Sequence, residues 1–245
     1  GTPIAPVANA SQINTRDICT SGIHISGFKY GIGLYGYDNY IHTYEFCEIS
    51  RCMYPIAGLD INKQNSGERI LFRSCTIGGT SHNIYWNLVG WNITFDNCSI
   101  DYAGSAMLYL GNGARGCVLR FTNGTFIEGF GTRLVSQDTT SDSWVYDDGR
   151  KNKLFFHGAF INAQKKPGEF SSRRQIFASS SDMLGHIELV DTEIRWPDPE
   201  SEPHVALLGY NDATATRVRG FFRNANTPYD QCLMRYGDSL NAGLY

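Results

Sequence analysis

The chain has 245 residues, of which 42% are hydrophobic, so it can bury a substantial core, and we read it as one elongated domain. Its formal net charge of -3, without any run of Lys or Arg, argues against nucleic acids and anionic membrane surfaces as partners. No apolar stretch reaches the ~20 residues of a membrane-spanning helix, so we expect no membrane insertion.

An eight-residue motif recurs along most of the chain, after a lead-in of residues 1–15. The sequence Ile-Leu-Phe-Arg-Ser-Cys-Thr-Ile returns as Ile-Thr-Phe-Asp-Asn-Cys-Ser-Ile and then in looser copies. The copies occupy residues 18–25, 42–49, 70–77, 93–100, 119–126, 154–161 and 187–194. A repeat of this kind predicts a solenoid, in which each repeat forms one coil.

The alternation inside the motif predicts two strands joined by a corner. Positions one and three are apolar and point inward on the first strand, and positions six and eight point inward on the second. The corner falls at position five, where the residue types tolerate the left-handed conformation or satisfy a tight turn. These residues are Ser74, Asn97, Asn123, Gly158 and Asp191. The copy at 42–49 departs from the rule, because Phe46 occupies its fifth position.

The intervals between the motifs complete the predicted coil. Candidate third strands lie at 59–61, 83–86 and 108–110. The longest coils contain insertions around 137–152 and 164–175, which we expect to form loops on one face. We therefore predict an all-β fold, a right-handed parallel β-helix (solenoid) over residues 16–226, followed by a C-terminal segment, 227–245.

Seven cysteines lie at positions 19, 47, 52, 75, 98, 117 and 232. None belongs to a CxxC pair accompanied by a second pair or by clustered histidines, so the sequence predicts no metal site and no cofactor. Stacked coils would place Cys47, Cys75 and Cys98 above one another on the inside, ~4.8 Å apart. We expect these thiols to be free and buried in the core.

The repeat over residues 18–194 resembles the parallel β-helix domains of bacteriophage tailspikes and capsule depolymerases, and more distantly the pectin-lyase-like superfamily. The resemblance implies a homotrimer of solenoids on the virion, at the phage tail, acting extracellularly on the bacterial surface. It implies that each chain binds and depolymerises a capsular or O-antigen polysaccharide. The motifs of polygalacturonases are missing apart from Asp147 and Asp148, and the calcium-binding aspartates of pectate lyases are not evident.

Two pairs of acids are candidates for glycoside hydrolysis, which needs two carboxyl groups about 5–5.5 Å apart for retention or 6.5–9.5 Å for inversion. Glu45 and Asp96 occupy the outward fourth position two rungs apart, ~9.6 Å, with Arg73 between them as a substrate-binding residue. The alternative for these three residues is a surface ladder of ion pairs. Asp101 and Glu128 follow the motif on adjacent rungs, near the spacing for retention.

Aromatic residues are the candidate sugar-binding surfaces, because sugar faces stack on aromatic rings. Trp86 and Trp91 flank a turn, and Trp144 and Tyr146 project from the first insertion. We expect Trp86, Trp144 and Tyr146 to contact substrate, whereas simple packing is an equal alternative for Trp91.

Other functions stay open at this point. A non-catalytic receptor-binding fibre segment would have the same repeat, and a lyase would use Tyr, His or Lys as its base, although we favour a glycoside hydrolase. Residues 236–243 resemble the first block of GDSL-type esterases, with Ser239 as nucleophile and 232–234 as the preceding strand. The solenoid would then be a stem before a truncated esterase domain, because the required base and oxyanion donors lie downstream in that family.

Overall fold

The computed structural model describes residues 15–34, 39–59, 67–111, 114–131, 133–137, 152–162, 175–179, 184–195, 206–210, 219–223 and 234–236. Within these ranges every regular element is a β-strand, and neighbouring strands pair in parallel. No helix in this part of the chain is long and apolar enough to cross a membrane. The prediction of an all-β, parallel β-solenoid is confirmed.

Three sheets form the walls of the solenoid, and each coil passes through them in turn. The first sheet contains β1 (Thr15–Ser21), β4 (Asn39–Glu45), β7 (Ile70–Arg73), β10 (Asn92–Asp96), β13 (Val118–Thr122), β16 (Asn152–His157), β19 (Leu184–Val190) and β22 (Arg219–Arg223). The second sheet contains β2 (His24–Ser26), β5 (Glu48–Cys52), β8 (Thr76–Gly79), β11 (Ser99–Asp101), β14 (Phe126–Glu128), β17 (Phe160–Asn162) and β20 (Glu193–Arg195). The third sheet contains β3 (Tyr30–Leu34), β6 (Tyr54–Gly58), β9 (Ile84–Trp86), β12 (Ala106–Leu110), β15 (Arg133–Gln137), β18 (Gln175–Ser179), β21 (Ala206–Tyr210) and β23 (Met234–Tyr236).

The motif copies stack in register, whatever the length of the chain between them. The third-position residues Phe72 and Phe95 pair although 23 residues separate them, and Phe121 and Phe156 pair across 35 residues. The same rows extend upstream to Thr20 on β1, which pairs with Tyr44 of β4. The first-sheet positions of the motif therefore have the face and the rung that the sequence predicts. The copy at 119–126 needs correction after its corner: it has one extra residue there, so Ile127 and not Phe126 takes the inward eighth position and pairs with Ile100.

The corner at motif position five is confirmed by the backbone angles. Its residues all have positive φ: Ser74 (49°), Asn97 (52°), Asn123 (54°), Gly158 (63°) and Asp191 (49°). Phe46 adopts the same conformation, with φ of 52°, and its side chain is 65% exposed. The copy at 42–49 thus makes the same corner, and the phenyl ring points to solvent because the corner directs the fifth side chain outward.

The predicted third strands are confirmed except in one coil. In the coil where a strand was expected at 59–61, the strand of the third sheet is β6, where Ile56 pairs with Ile84 of β9, and residues 60 and 61 lie outside the described residues. Pro55 obscured this strand, because proline has no N–H to donate and is rare inside sheets. At the other end of the solenoid, β23 pairs with β21, so residues 234–236 continue the third sheet. Ser239 and the insertion residues 138–151 and 163–174 lie outside the described residues.

A column of stacked aromatic rings occupies the middle of the core. It consists of the third-position residues Tyr44, Phe72, Phe95, Phe121 and Phe156. Neighbouring ring centroids are 4.7–5.1 Å apart, and their planes lie within 12° of parallel. This spacing is close to the inter-strand distance of about 4.8 Å, so the backbone register fixes how the rings stack.

The cysteine column lies beside the aromatic column, as predicted. Cys47, Cys75 and Cys98 are buried and free. The thiol of Cys75 donates a hydrogen bond to the carbonyl of Tyr44 (3.3 Å), and the thiol of Cys98 donates to that of Phe72 (3.4 Å). Each thiol therefore satisfies a backbone oxygen of the preceding coil, which is a structural role.

We expect thiol labelling of the native protein to reach Cys19 and to spare Cys47, Cys75, Cys98 and Cys117. Cys19 is exposed, whereas the others are buried, and burial raises the pKa of Cys117 to about 11, which disfavours the reactive thiolate. Peptide mapping after alkylation, with and without denaturant, measures this. Labelling of Cys75 or Cys98 as fast as Cys19 without denaturant would contradict the buried column.

Candidate functional site

The first acid pair forms the surface ladder that the sequence left as an alternative. Glu45, Arg73 and Asp96 occupy one row on three successive strands, β4, β7 and β10. Arg73 Nη1 lies 3.0 Å from Glu45 Oε1, and Arg73 Nε lies 3.3 Å from Asp96 Oδ2. The predicted order, with the arginine between the two acids, is confirmed.

Asp96 has little remaining capacity to act as an acid or base. Its Oδ2 accepts from Arg73, and its Oδ1 accepts hydrogen bonds from Thr122 Oγ1 (3.3 Å) and Asn123 Nδ2. These donors hold the carboxylate in place. Through these donors Asp96 connects its own coil to the coils on both sides, which is a structural role.

The second acid pair lies on the second sheet. Asp101 of β11 and Glu128 of β14 are direct register partners, so the two carboxyl groups project from neighbouring rungs on the same face. Asp101 Oδ2 accepts a hydrogen bond from Ser99 Oγ (2.8 Å), and Glu128 Oε2 accepts one from Asn162 Nδ2 (3.3 Å). Ser99 and Asn162 thus help to orient the two carboxylates.

Aromatic and basic side chains lie beside this pair. Phe126 and Phe160 stack at 4.7 Å with planes 3° apart, and the Arg195 guanidinium lies 5.3 Å from the centre of the Phe160 ring. On the opposite side, the residue paired with Phe126 is Ser99, which is too small to continue the stack. In the row next to the acids, Phe126 is therefore the last ring of the stack, and the small residue Ser99 follows it.

A corner with an exposed tyrosine joins this region to the third sheet. Tyr102 follows Asp101 directly, has a φ of 61° and is 60% exposed. Its N–H donates to the carbonyl of Glu128 (3.2 Å), which fixes the corner against the next rung. The backbone carbonyl of Asp101 accepts from Asn83 Nδ2 (3.0 Å), so the acid pair is tied to the coil on its other side as well.

The tryptophan prediction needs correction. Trp86 points into the solenoid and is 0% exposed, so its ring cannot stack on a sugar at the surface. It packs edge to face against Trp91, with ring centroids 5.2 Å apart, and Trp91 is equally buried. Residues 84 and 86 are inward positions of β9, and packing is the role of both tryptophans. Trp144 and Tyr146 lie outside the described residues.

Sequence reasoning missed a row of tyrosines on the outside of the third sheet. We call Tyr30, Tyr54, Tyr85 and Tyr109 the tyrosine ladder. Successive ring centroids in the ladder are 5.7, 4.9 and 5.3 Å apart, and all four side chains are half-buried. His82 lies among them, 6.0 Å from Tyr54 and 4.8 Å from Tyr109. The signal was present in the sequence, since Tyr85 and Tyr109 occupy the outward position between two inward aliphatic or indole side chains.

A second unpredicted group lies on the first sheet, and we call it the histidine cluster. The Glu188 carboxylate lies between two imidazoles, 2.7 Å from His157 Nε2 and 3.3 Å from His186 Nε2. The ring of Phe155 contacts both histidines, at centroid distances of 5.8 and 5.5 Å. Glu188 pairs with Phe155 in register, so its contact with His157 is diagonal, which is why the rung pattern alone did not reveal it.

We expect the histidine cluster to stabilise the fold above the ordinary pKa of a Glu carboxyl and to lose this effect in acid. Partial burial alone would raise the pKa of Glu188, but hydrogen bonds from His186 and His157 outweigh it and hold this pKa below 4.5. A carboxyl with a lowered folded-state pKa stabilises the fold above its unfolded pKa, and that gain disappears as the pH falls through the folded pKa.

Unfolding midpoints of the parent and of Glu188→Gln, measured across about pH 3 to 7, test this expectation. The parent should be more stable than the variant at the neutral end, and the two should converge at the acidic end. A difference that stays constant down to the lowest pH would show that the carboxylate charge is not responsible.

Within the described part of the chain, no three His, Cys, Asp or Glu side chains converge where a metal ion could bind. The chemistry that this surface offers is that of paired carboxyl groups, phenol hydroxyls and aromatic rings. No family model matches the chain, and no solved structure is significantly similar to it.

Proposed function

We propose that the chain is a tailspike-like domain that binds a bacterial surface polysaccharide, capsule or O-antigen, and depolymerises it as an endoglycosidase. The observation that supports this most directly is the pair of carboxyl groups of Asp101 and Glu128 on adjacent rungs of one face. Adjacent strands lie about 4.8 Å apart, close to the roughly 5–5.5 Å that a retaining glycosidase needs. The proposal includes a homotrimer on the phage virion that acts outside the bacterial cell.

Asp101 and Glu128 fit the role better than Glu45 and Asp96 do. Arg73 bridges the first pair and occupies the space between its carboxylates. A substrate could enter there only if two ion pairs broke. Asp101 and Glu128 are instead direct register partners on adjacent strands, so their carboxyl groups lie one rung apart.

The two acids have different surroundings, which suggests their roles. Asp101 serves as the nucleophile: the Ser99 hydroxyl orients its carboxylate, which attacks the anomeric carbon to form a glycosyl ester. Glu128, held by Asn162, gives its proton to the glycosidic oxygen as that bond breaks. Glu128 then takes a proton from water, the water cleaves the ester, and Asp101 is released as the carboxylate. The anomeric configuration is retained.

Phe126 supplies the apolar surface for a sugar beside these acids. Its ring is the end of a two-ring stack, and the next rung has only Ser99 in that row. A sugar ring packed against Phe126 would lie over Ser99, next to both carboxyl groups. Arg195, at the other end of the stack, lies on the same side as Asn162 and can contact an acidic substituent.

Purified protein incubated with a panel of capsular and O-antigen polysaccharides tests the proposal. We expect new reducing ends from at least one polysaccharide, without the absorbance of unsaturated products, and nuclear magnetic resonance of the first product should show a retained anomeric configuration. Unsaturated products would identify a lyase instead. Absence of cleavage from every polysaccharide that the protein binds would contradict the enzymatic part.

A non-catalytic receptor-binding segment is the second candidate. The hydrogen bonds that Ser99 and Asn162 donate to the two acids favour it, because a purely structural row of acids would be satisfied in the same way. Binding to a polysaccharide without any new reducing ends would establish this function.

A further inference from the structure

The tyrosine ladder is a chemically uniform strip on the outside of the solenoid. Its four phenol rings follow one another at 4.9–5.7 Å, close to the rung spacing, and each belongs to a different coil. The direction of the strip is therefore the direction in which the coils stack. A pyranose linked through opposite sides of its ring adds about one rung spacing to a glycan chain, so successive sugars can meet successive phenols.

The ladder presents hydrogen-bond donors. Asn87 Nδ2 donates to the Tyr85 hydroxyl oxygen (3.3 Å), which leaves the hydroxyl hydrogen of Tyr85 available for an external acceptor. Burial raises the pKa of Tyr85, and the nearby Tyr54 and Tyr30 raise it further, so this hydroxyl keeps its proton at neutral pH. Lys29, whose ammonium lies 5.1 Å from the centre of the Tyr30 ring, adds a cation at one end of the ladder.

The charge of the third sheet differs from that of the other two. None of its eight described strands contains Asp or Glu. The strands of the first and second sheets contain Asp17, Glu45, Asp96, Glu188, Glu48, Asp101, Glu128 and Glu193. A carboxylate-bearing ligand would therefore meet no carboxylate from the described strands of the third sheet, whereas acids stand among the basic residues of the other two sheets.

We propose that the tyrosine ladder binds an acidic polysaccharide, one that carries uronate or a similar carboxylate, with the glycan chain lying along the stacking direction of the coils. The inference rests on the proposed function for the class of ligand, a polysaccharide. It adds which surface binds this ligand and which charge the ligand carries. The corner at Tyr102 joins this surface to the acid pair, so a chain held on the ladder can extend over the corner toward Asp101.

The test measures binding by calorimetry in a Glu128→Gln background, so that the glycan is not shortened during the titration. The ligands are a uronate-containing capsular polysaccharide, the same polysaccharide after chemical reduction of its carboxyl groups, and a neutral polysaccharide. We expect the acidic form to bind best, the reduced form to bind about tenfold more weakly, and added salt to weaken binding of the acidic form.

Tyr85→Phe keeps the ring and the stack and removes only the hydroxyl, so it should weaken binding of the acidic form by about tenfold without changing the fold. Tyr85→Ala should weaken it further. Phe155→Ala is the matched control, because it removes a half-buried, outward aromatic side chain from the first sheet. Circular dichroism and thermal midpoints verify that each variant is folded.

The outcomes separate this inference from the proposed function. Parental affinity in both Tyr85 variants, with the polysaccharide still bound, would overturn the inference and leave the proposed function standing. Preference for the neutral polysaccharide would overturn the acidic assignment. A sedimentation change in Tyr85→Ala without any change in glycan affinity would make the ladder a subunit interface and overturn the inference. If no polysaccharide is bound or cleaved, both proposals fail.

Discussion

Replacing Asp101 with Asn or Glu128 with Gln should lower the rate of polysaccharide cleavage by ~10²–10⁴, the usual size of the contribution of one acid-base or nucleophilic group. Each change keeps the shape of the side chain and removes one proton acceptor. The hydrogen bonds from Ser99 and Asn162 can then be made to an amide oxygen, so we expect the strands to stay paired. Glycan affinity should change little, because the aromatic and donor surfaces remain.

Asp96→Asn is the matched control for these two variants. It changes a carboxylate to an amide on the same solenoid, but in the ladder with Arg73, where the ion pair is partly exposed. Exposed pairs contribute about 0.2–1 kcal/mol to stability, so this variant should be slightly less stable and fully active. If Asp96→Asn abolished cleavage while the Asp101 and Glu128 variants kept the parental rate, the active pair would be the first one, and inversion would be expected.

Phe95→Ala should lower the free energy of unfolding by about 3–5 kcal/mol, the usual cost of truncating a fully buried phenyl ring. Phe95 is completely buried and stacks on both Phe72 and Phe121 at 5.1 Å, so its removal breaks the aromatic column in the middle. The neighbouring coils cannot close the cavity, because their backbones are held apart by the strand register. Chemical denaturation measures the change.

Thr94→Ala is the control for this prediction. It lies on the same strand, one residue away, with its side chain on the outer face and half-buried. Substitutions at such surface positions usually change stability by less than about 0.5 kcal/mol. If the two variants were equally stable, the aromatic column would not contribute to the stability of the core as expected.

Most of the first and second sheets could be predicted from the sequence, since one motif fixes strand, corner and face together. Once Phe72, Phe95 and Phe121 are recognised as equivalent, the other residues of their first-sheet strands acquire register partners. The position of Arg73 between Glu45 and Asp96 followed from this register alone, whereas the direct pairing of Asp101 with Glu128 depends on one extra residue at the corner that contains Asn123. Strand alternation and the inter-strand distance were sufficient physical information.

Features that depend on diagonal contacts or on unusual residues could not be predicted. The strand at β6 begins next to Pro55, and local propensity argues against a strand there even though stacking on both sides imposes it. Trp86 was read as a surface residue because it is near a turn, whereas its place on β9 turns the indole inward. The contact of Glu188 with His157 crosses between rows, and side-chain length and rotamer decide it.

Phe46 shows that the corner is set by the coil and not by its residue. A bulky side chain in the left-handed conformation costs roughly 1–2 kcal/mol, yet Phe46 has the same φ as Asn97 in the equivalent position. The strands on both sides, which pair with neighbouring coils, provide the energy that holds it there. Residues that favour the left-handed conformation are therefore a good guide to where a corner lies. The absence of such a residue is a poor reason to reject a predicted corner.

The tolerance of the register for connections of very different length has an evolutionary consequence. Phe72 and Phe95 stack across 23 residues in the same way as Phe121 and Phe156 stack across 35, so a connecting segment can lengthen without shifting any strand. Doubling a flexible connection costs only ~0.6 kcal/mol in chain entropy. Segments between coils can consequently be exchanged without moving the strands, so a new surface can be built on an inherited scaffold.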